Sequence, residues 1–183
     1  AQFTRLRVER ELGALAEHDH CLRVRVEGLQ PGQRYHYRFL RLQAGEWVSS
    51  PPGITRTAPA ANAATGGLRF AFMSCQDFGG RWYNTLVPLL DQELDFILHL
   101  GDFIYESVGD SSFQDVGGER SIRCTDEAGA LRIGKRGNDY LAAASLDNYR
   151  QLHREYRTDP VLQALLERAP LVAIWDDHEF SDD

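Results

Sequence analysis

The chain has 183 residues, and its 20 Lys and Arg residues against 27 Asp and Glu residues give a formal net charge of −7. A hydrophobic content of 43% excludes a disordered chain, and no apolar run approaches the roughly 20 residues that span a bilayer. The acidic balance argues against nucleic acid or an anionic membrane as an obligatory partner, because both attract basic proteins. We therefore expect one globular domain or two small ones, without a transmembrane segment.

The three cysteines, Cys21, Cys75 and Cys124, are too few and too scattered for a disulfide framework. Their odd number leaves at least one thiol unpaired. The sequence starts at Ala1 without a charged segment followed by an apolar one, so we expect no signal peptide within it.

Residues 1–58 alternate apolar and polar side chains with period two, the pattern of half-buried antiparallel strands. The apolar positions are Leu6 and Val8, then Leu22, Val24 and Val26, then Tyr35, Tyr37 and Phe39. Turn chemistry at 28–32, which reads GLQPG, links two of these strands. We expect a small β-sandwich of four or five strands, which is fewer than the seven of a complete immunoglobulin-type sandwich.

Residues 59–67 are small, contain Pro and Gly and have no apolar period, which predicts a linker to a second domain at 68–183. In that domain we expect buried parallel strands at Leu68–Met73, Asp95–Gly101 and Leu171–Trp175. Three helices are expected to connect them, at Trp82–Gln92, from Ser145 to Arg157, and from Asp159-Pro160 to Arg168. Ser107–Asn138 has no steady period and is expected to be a long functional loop, whose Arg120, Arg123, Arg132 and Arg136 either guide phosphate or are simply solvated.

Each predicted parallel strand is followed by polar residues. These are Ser74-Cys75-Gln76-Asp77, then Gly101-Asp102 with Tyr105-Glu106, and then Asp176-Asp177-His178-Glu179. The carboxyl ends of parallel strands form the ligand crevice of α/β sheets, so these side chains should meet at one edge. Clustered carboxylates resist ionisation unless cations lie between them, which predicts a metal cluster.

The segments 101–106 (GDFIYE) and 177–179 (DHE) resemble the Gly-Asp-x-x-Asp/Tyr and Asn-His-Glu/Asp elements of calcineurin-like metallophosphoesterases. More closely, the chain resembles the PhoD-like alkaline phosphatases and phosphodiesterases. The carrying residues are 74–76 (SCQ), 99–106 (HLGDFIYE), 146–150 (LDNYR) and 175–179 (WDDHE). The resemblance implies a small β-sandwich, here partial, followed by the N-terminal part of an α/β metallophosphoesterase domain. Residues 28–38 (GLQPGQRYHYR) resemble the middle of a fibronectin-III-like domain, so we expect the sandwich to be of that type.

The resemblance also implies the metal ligands. Asp102 would bridge two metals, Tyr105 would bind Fe³⁺ as a phenolate, and Cys75 would stabilise the ferric ion as a thiolate, whereas most of the wider superfamily has Asp at that position. Asp177 would replace an Asn and suit Ca²⁺.

The remaining site residues follow from the same resemblance and from position. His178 would donate a hydrogen bond or proton to the phosphate, in a catalytic role. Asp176, Glu106 and Glu179 are expected to support the ligands by hydrogen bonds rather than to bind metal. His99, which lies between two leucines, is expected to be a core histidine.

The expected activity is metal-dependent hydrolysis of phosphate esters. Because the superfamily's later histidine element does not follow His178, we expect an N-terminal fragment with little activity. The resemblance also implies export, often by the twin-arginine route. Two alternatives stay open: a cysteine hydrolase that uses Cys75, His178 and an Asp, and a secreted module whose β-sandwich binds a partner or a polymer.

Overall fold

The computed structural model describes residues 3–64, 66–135 and 137–181, which form mixed sheets and helices. The region up to residue 59 contains a short 3₁₀ helix at Ala16–His18 and the strands β1 (Arg34–Tyr37), β2 (Leu40–Gln43), β3 (Glu46–Ser49) and β4 (Gly53–Arg56). The rest contains, in chain order, β5 (Phe70–Met73), β6 (Phe96–His99), β7 (Ser107–Val108), β8 (Leu131–Lys135), β9 (Asn138–Ala142), α1 (Leu146–Tyr156), α2 (Pro160–Arg168) and β10 (Leu171–Ala173). Two further 3₁₀ helices span Asn84–Asp91 and Asp177–Glu179.

The first region forms two separate antiparallel pairs, β1 with β4 and β2 with β3. Within residues 3–33 the structure has no strand, so the strands predicted around Leu6 and Leu22 are not formed, and both side chains are exposed. An alternating pattern becomes a buried strand only where a second layer covers its apolar face. The fibronectin-III-like sandwich is therefore not confirmed.

The central sheet is parallel, as the sequence predicts, and the structure gives its strand order as β10-β6-β5. Its strands are not buried on both faces, which corrects the prediction. The apolar residues Phe72 on β5 and Val172 on β10 flank Leu98 in register and are exposed. Only the opposite face, which carries Ile97, packs against the core within the described residues.

The crossover from β5 to β6 was predicted as an α-helix over Trp82–Gln92 and is instead the 3₁₀ helix Asn84–Asp91. Pro88 lies inside it, and a proline has no N–H to continue an α-helical ladder. The segment Ser107–Asn138 also differs from the predicted loop, because it contains β7 and β8, which both pair antiparallel with β9.

The predictions for α1 and α2 are confirmed, because local capping decides both starts. The Ser145 side chain accepts a hydrogen bond from the backbone N–H of Asn148, 3.2 Å away, and so caps α1. The Asp159 side chain accepts from the N–H groups of Val161 and Leu162, and Pro160 occupies the first turn of α2.

Both helices pack on the buried face of the central sheet. The core comprises Met73, Phe78, Tyr83, Leu86, Ile97, Phe103, Ile104, Leu152, Tyr156, Leu162, Leu165 and Ala169. His99 is buried with them and its Nδ1 accepts from the N–H of Gly101, as expected of a core histidine. No helix among the described residues is both long enough and apolar enough to cross a bilayer.

Candidate metal centre at the strand ends

The segments that follow β5 and β6 are joined by their backbones. The N–H of Cys75 donates to the carbonyl of Gly101 (3.3 Å), and the N–H of Gln76 donates to the carbonyl of Asp102 (3.4 Å). These bonds hold the two segments side by side beyond the ends of the strands. The strand ends therefore bring Cys75 beside Asp102, as the sequence predicts.

The backbone at this edge takes conformations that most side chains avoid. Gly101 has φ +109°, and a Cβ there would lie 2.5 Å from the Cβ of Asp176, so only glycine lets these two segments approach so closely. Cys75 (φ 56°) and Asp102 (φ 54°) are both left-handed without being glycine. Such conformations are uncommon and cluster at functional sites.

Glu179 joins the segment after β10 to the segment after β6. Its carboxylate accepts from the N–H groups of Asp102 (3.1 Å), Phe103 and Asp176 (2.8 Å). Asp176 is exposed and is the residue before the 3₁₀ helix Asp177–Glu179, where its own N–H is the group bound by Glu179. Both residues thus shape the backbone of the site.

Three side chains at this edge can offer ligand atoms to one ion. One atom each from Asp102, Asp177 and His178 lie within 4.8 Å of one another. Asp102 is only 6% exposed, and its Oδ1 is buried without a hydrogen-bond partner among the described residues. A buried, unpartnered carboxylate oxygen beside a second carboxylate fits a bound cation, which would compensate its lost hydration.

The electrostatics of Asp102 agree with this fit. Burial raises the pKa of Asp102, and the charges of Asp177 and Asp176 raise it further. A hydrogen bond with Cys75 and the charge of His178 act in the opposite direction without cancelling the rise. A cation at this position would restore the ionised form.

Tyr105 lies against the same group. Burial raises its pKa, as do the charges of Asp102 and Cys75 and a hydrogen bond with Cys75. Its ring centroid is 4.3 Å from that of His178. The phenol therefore stays protonated unless a strong positive charge lies beside it.

His178 is held by Glu106, whose Oε2 lies 2.7 Å from the imidazole Nδ1. Burial alone would lower the pKa of His178, but the hydrogen bond and charge of Glu106 and the charges of Asp102 and Asp177 together raise it. A carboxylate on one ring nitrogen fixes the orientation of the ring and leaves the other nitrogen for the crevice.

The structure brings together Cys75, Asp102, Tyr105, Asp177 and His178, and it places Asp176, Glu106 and Glu179 around them. It does not support the interpretation of Arg120 as a phosphate guide or a solvated residue, because Arg120 is buried, pairs with Asp159 and lies 3.8 Å from the Phe78 ring centroid. Arg123 and Arg132 are exposed, and Arg136 lies outside the described residues.

Sequence reasoning missed two buried residues that support the site. Asp77 is the last residue of the first strand-end motif and was given no role, and Tyr156 is the last residue of α1. The hydroxyl of Tyr156 donates to the carboxylate of Asp77, 2.7 Å away. Helical periodicity marks Tyr156 as a core residue but does not reveal a use for its hydroxyl. A third residue, Tyr149, lies two turns earlier on α1 and donates to the carbonyl of Phe180 beside the 3₁₀ helix Asp177–Glu179.

Comparison with known proteins identifies the family. Residues 70–183 match the model for PhoD-like phosphatase, and residues 1–59 match the model for the PhoD-like phosphatase N-terminal domain. Alkaline phosphatase D of Bacillus subtilis (strain 168) is 34% identical over 160 residues, which cover 87% of this chain and 24% of that protein.

A solved structure entitled "Structure of PhoD" superposes with a TM-score of 0.72 at 31% identity. The match covers 92% of this chain and 28% of the solved one, so the chain spans about a quarter of the length of these relatives. The chain belongs to the PhoD-like phosphatase family.

Proposed function

We propose that this protein hydrolyses phosphate esters with bound metal ions, as an alkaline phosphatase and phosphodiesterase. The observation that carries the proposal is the convergence of Asp102, Asp177 and His178, whose ligand-capable atoms lie within 4.8 Å of one another at the ends of parallel strands. Family membership supports the same reaction, because the curated relative is named alkaline phosphatase D.

The donor set fits two kinds of cation. Asp102 and Asp177 offer the hard carboxylate oxygens that Ca²⁺ prefers, and Tyr105 with Cys75 offers a phenol and a thiol that suit Fe³⁺. Asp102, whose Oδ1 is buried and unpartnered within the described residues, is proposed to contact both. The bound ions would supply positive charge that stabilises the phosphate oxygens and lowers the pKa of an attacking water.

His178 is the proposed proton or hydrogen-bond donor to the phosphate or to its leaving oxygen. The hydrogen bond and charge of Glu106 act to raise the pKa of His178, and the same contact, 2.7 Å from Nδ1, keeps the ring in place while the proton is donated. The Glu179 carboxylate accepts hydrogen bonds from the N–H groups of Asp102 and Asp176 and so holds their backbones together. These are the contributions of the chain itself to the reaction.

The proposal includes the organisation and location of the protein. The two family models match on either side of residues 60–69, which supports a β-sandwich domain at 1–58, a linker at 59–67 and a catalytic domain at 68–183. We also propose a fibronectin-III-like sandwich there, of which the antiparallel pairs β1–β4 and β2–β3 would be parts. Resemblance to the family supports export of the folded protein by the twin-arginine route.

Replacing Cys75 by Asp separates this proposal from a cysteine hydrolase. The change keeps a metal-binding side chain and removes the thiol nucleophile, so hydrolysis of p-nitrophenyl phosphate should persist at a reduced rate and remain sensitive to a chelator. Cys21→Asp is the matched control, because Cys21 is also an exposed free thiol.

Complete loss of hydrolysis in Cys75→Asp, together with chelator resistance in the unchanged protein, would favour the cysteine hydrolase. Absence of any phosphoester hydrolysis by the metal-loaded protein as its gene encodes it would favour the binding module.

A further inference from the structure

Tyr156, the last residue of α1, lies between two of the strand-end segments of the candidate metal centre. It is 1% exposed, and its ring packs on Phe78 with the centroids 5.5 Å apart. Its hydroxyl points away from this apolar contact toward the segments that follow β5 and β6. A Phe would fill the same space, so packing alone does not require the hydroxyl.

Both hydrogen-bonding functions of that hydroxyl are used. It donates to Oδ1 of Asp77 (2.7 Å) and accepts from the backbone N–H of Tyr105 (3.1 Å). Burial and the charge of Asp77 raise the pKa of Tyr156, so the hydroxyl keeps its proton and remains a donor. One buried atom thus joins the segment after β5 to the segment after β6.

The Asp77 end of this connection is itself fixed. Oδ1 of Asp77 also accepts from the N–H of Gly79 (3.1 Å), and Oδ2 accepts from Nη1 of Arg81 (3.1 Å). The carboxylate is buried, so these bonds satisfy a group that would otherwise be costly to bury. Asp77 is therefore held in position independently of Tyr156 and is a fixed acceptor for its hydroxyl.

The two ends of the connection adjoin the thiol and the phenol. Asp77 is two residues from Cys75, and the other bond is made by the backbone of Tyr105 itself. Cys75 lies close enough to Tyr105 to raise the pKa of its phenol. A change in the distance between the two segments would separate this pair.

We propose that Tyr156 is a positioning residue whose hydroxyl holds the backbone of Tyr105 against Asp77 and so sets the spacing of Cys75 and Tyr105. The contact within the chain stands on geometry alone. Its consequence for metal binding rests on the proposed function. In the metal-loaded protein, Tyr156 acts through Tyr105 and does not touch the ion.

The test substitutes Tyr156→Phe, which keeps the ring in the core and removes only the hydroxyl. The matched control is Tyr140→Phe, because Tyr140 also hydrogen-bonds an aspartate, Asp110, in the segment that follows β7. Two readouts are needed. The first is amide hydrogen exchange at Tyr105 in the metal-free chain. The second is ferric affinity and the tyrosinate-to-iron absorption band in the metal-loaded protein as its gene encodes it.

We expect exchange at the Tyr105 amide to rise about fivefold or more in Tyr156→Phe, the equivalent of one lost hydrogen bond. Ferric affinity should fall about tenfold and the absorption band should shift, as for other outer partners of metal ligands. Tyr140→Phe should change none of these. A purely structural role would lower stability without moving the band.

Unchanged Tyr105 exchange in Tyr156→Phe would overturn the proposal, and so would faster exchange with an unmoved band in a protein that binds iron. If the unchanged protein binds no iron, the proposed function fails, and faster Tyr105 exchange would still support the positioning contact.

Discussion

The two regions of this chain differ sharply in how their apolar residues are used. Among the described residues up to 59, only Gly53 is buried, and the strands β2 and β3 are exposed along their whole length. The region from residue 70 onward holds the entire buried hydrophobic core and the candidate metal centre. The candidate centre thus lies in the region that has a core.

An alternation of apolar and polar residues along a strand does not by itself bury the apolar side chains. Leu42 lies in the apolar-polar alternation of β2 and is exposed, whereas Ile97 lies in the continuous apolar run of β6 and is buried in the core. A side chain that is packed in a core, as Ile97 is, is held in a fixed position, and the side chains of a metal centre need the same support. The following substitutions test whether stability and site geometry depend on the second region as this contrast implies.

The largest effect is expected where the second region buries a charge pair. Arg120 and Asp159 are 5% and 1% exposed, with Nη1 and Oδ2 2.5 Å apart. Asp159→Asn keeps an oxygen to cap α2 but leaves Arg120 buried without its counter-charge, so we expect a loss of about 4 kcal/mol in the free energy of unfolding. Urea titration measures it.

The control for that charge pair is Asp147→Asn, at an exposed position in the first turn of α1. It should change the free energy of unfolding by less than about 0.5 kcal/mol. Equal losses in the two variants would contradict the assigned importance of the buried pair.

The same substitution made in both regions tests the contrast itself. Leu165 is 1% exposed, and Leu165→Ala should cost about 3 kcal/mol in the free energy of unfolding. Leu42 is 58% exposed, and Leu42→Ala should change that free energy by less than about 0.5 kcal/mol. Equal losses in the free energy of unfolding for the two variants would mean that Leu42 is packed in a core, which would contradict the difference between the two regions.

A smaller, pH-dependent effect is expected where the regions meet. The N–H of Arg69 hydrogen-bonds Asp95, and this bond together with the pairing to Arg56 on β4 lowers the pKa of Asp95 below 3.8 despite the opposing effect of burial. A lowered folded-state pKa stabilises the fold above the ordinary carboxyl pKa. This stabilisation declines as the pH falls through the folded-state value.

Asp95→Asn should therefore lower stability at pH 7 and flatten its dependence on pH below about 4. Thermal unfolding from pH 7 to pH 3 measures this, with Asp91→Asn at an exposed position as the control. If the stability of Asp95→Asn depended on pH between 7 and 3 as that of the unchanged protein does, the contacts of Asp95 with Arg56 and Arg69 would not be a source of stability.

Local signals made much of the second region predictable. Ser145 and the Asp159-Pro160 pair mark helix starts by bonds within a few residues, and the structure confirms both. Convergence of Cys75 and Asp102 followed from parallel strand direction alone. A further signal was available in the predicted loop, where Leu131 and Ile133 alternate on the strand that became β8.

The remaining features depend on contacts between distant segments. The backbone N–H groups of Asp102 and Phe103 donate to the Glu179 carboxylate, which is more than seventy residues away in the sequence. The hydroxyl of Tyr156 reaches Asp77 over a similar separation. Sequence patterns report faces and caps, but they do not report which distant backbone a side chain will meet. The strand predicted around Leu22 is absent for the same reason, because the sequence pattern does not show whether a second layer covers its apolar face.

The central claim is that the strand-end acids form a metal centre for phosphoester hydrolysis. Its most direct test is the metal content and p-nitrophenyl phosphate hydrolysis of Asp102→Asn, with Asp110→Asn as a control that is similarly buried but lies after β7. We expect Asp102→Asn to lose bound metal and at least about 100-fold in activity, whereas Asp110→Asn should keep its metal. Full metal content and activity in Asp102→Asn would contradict it.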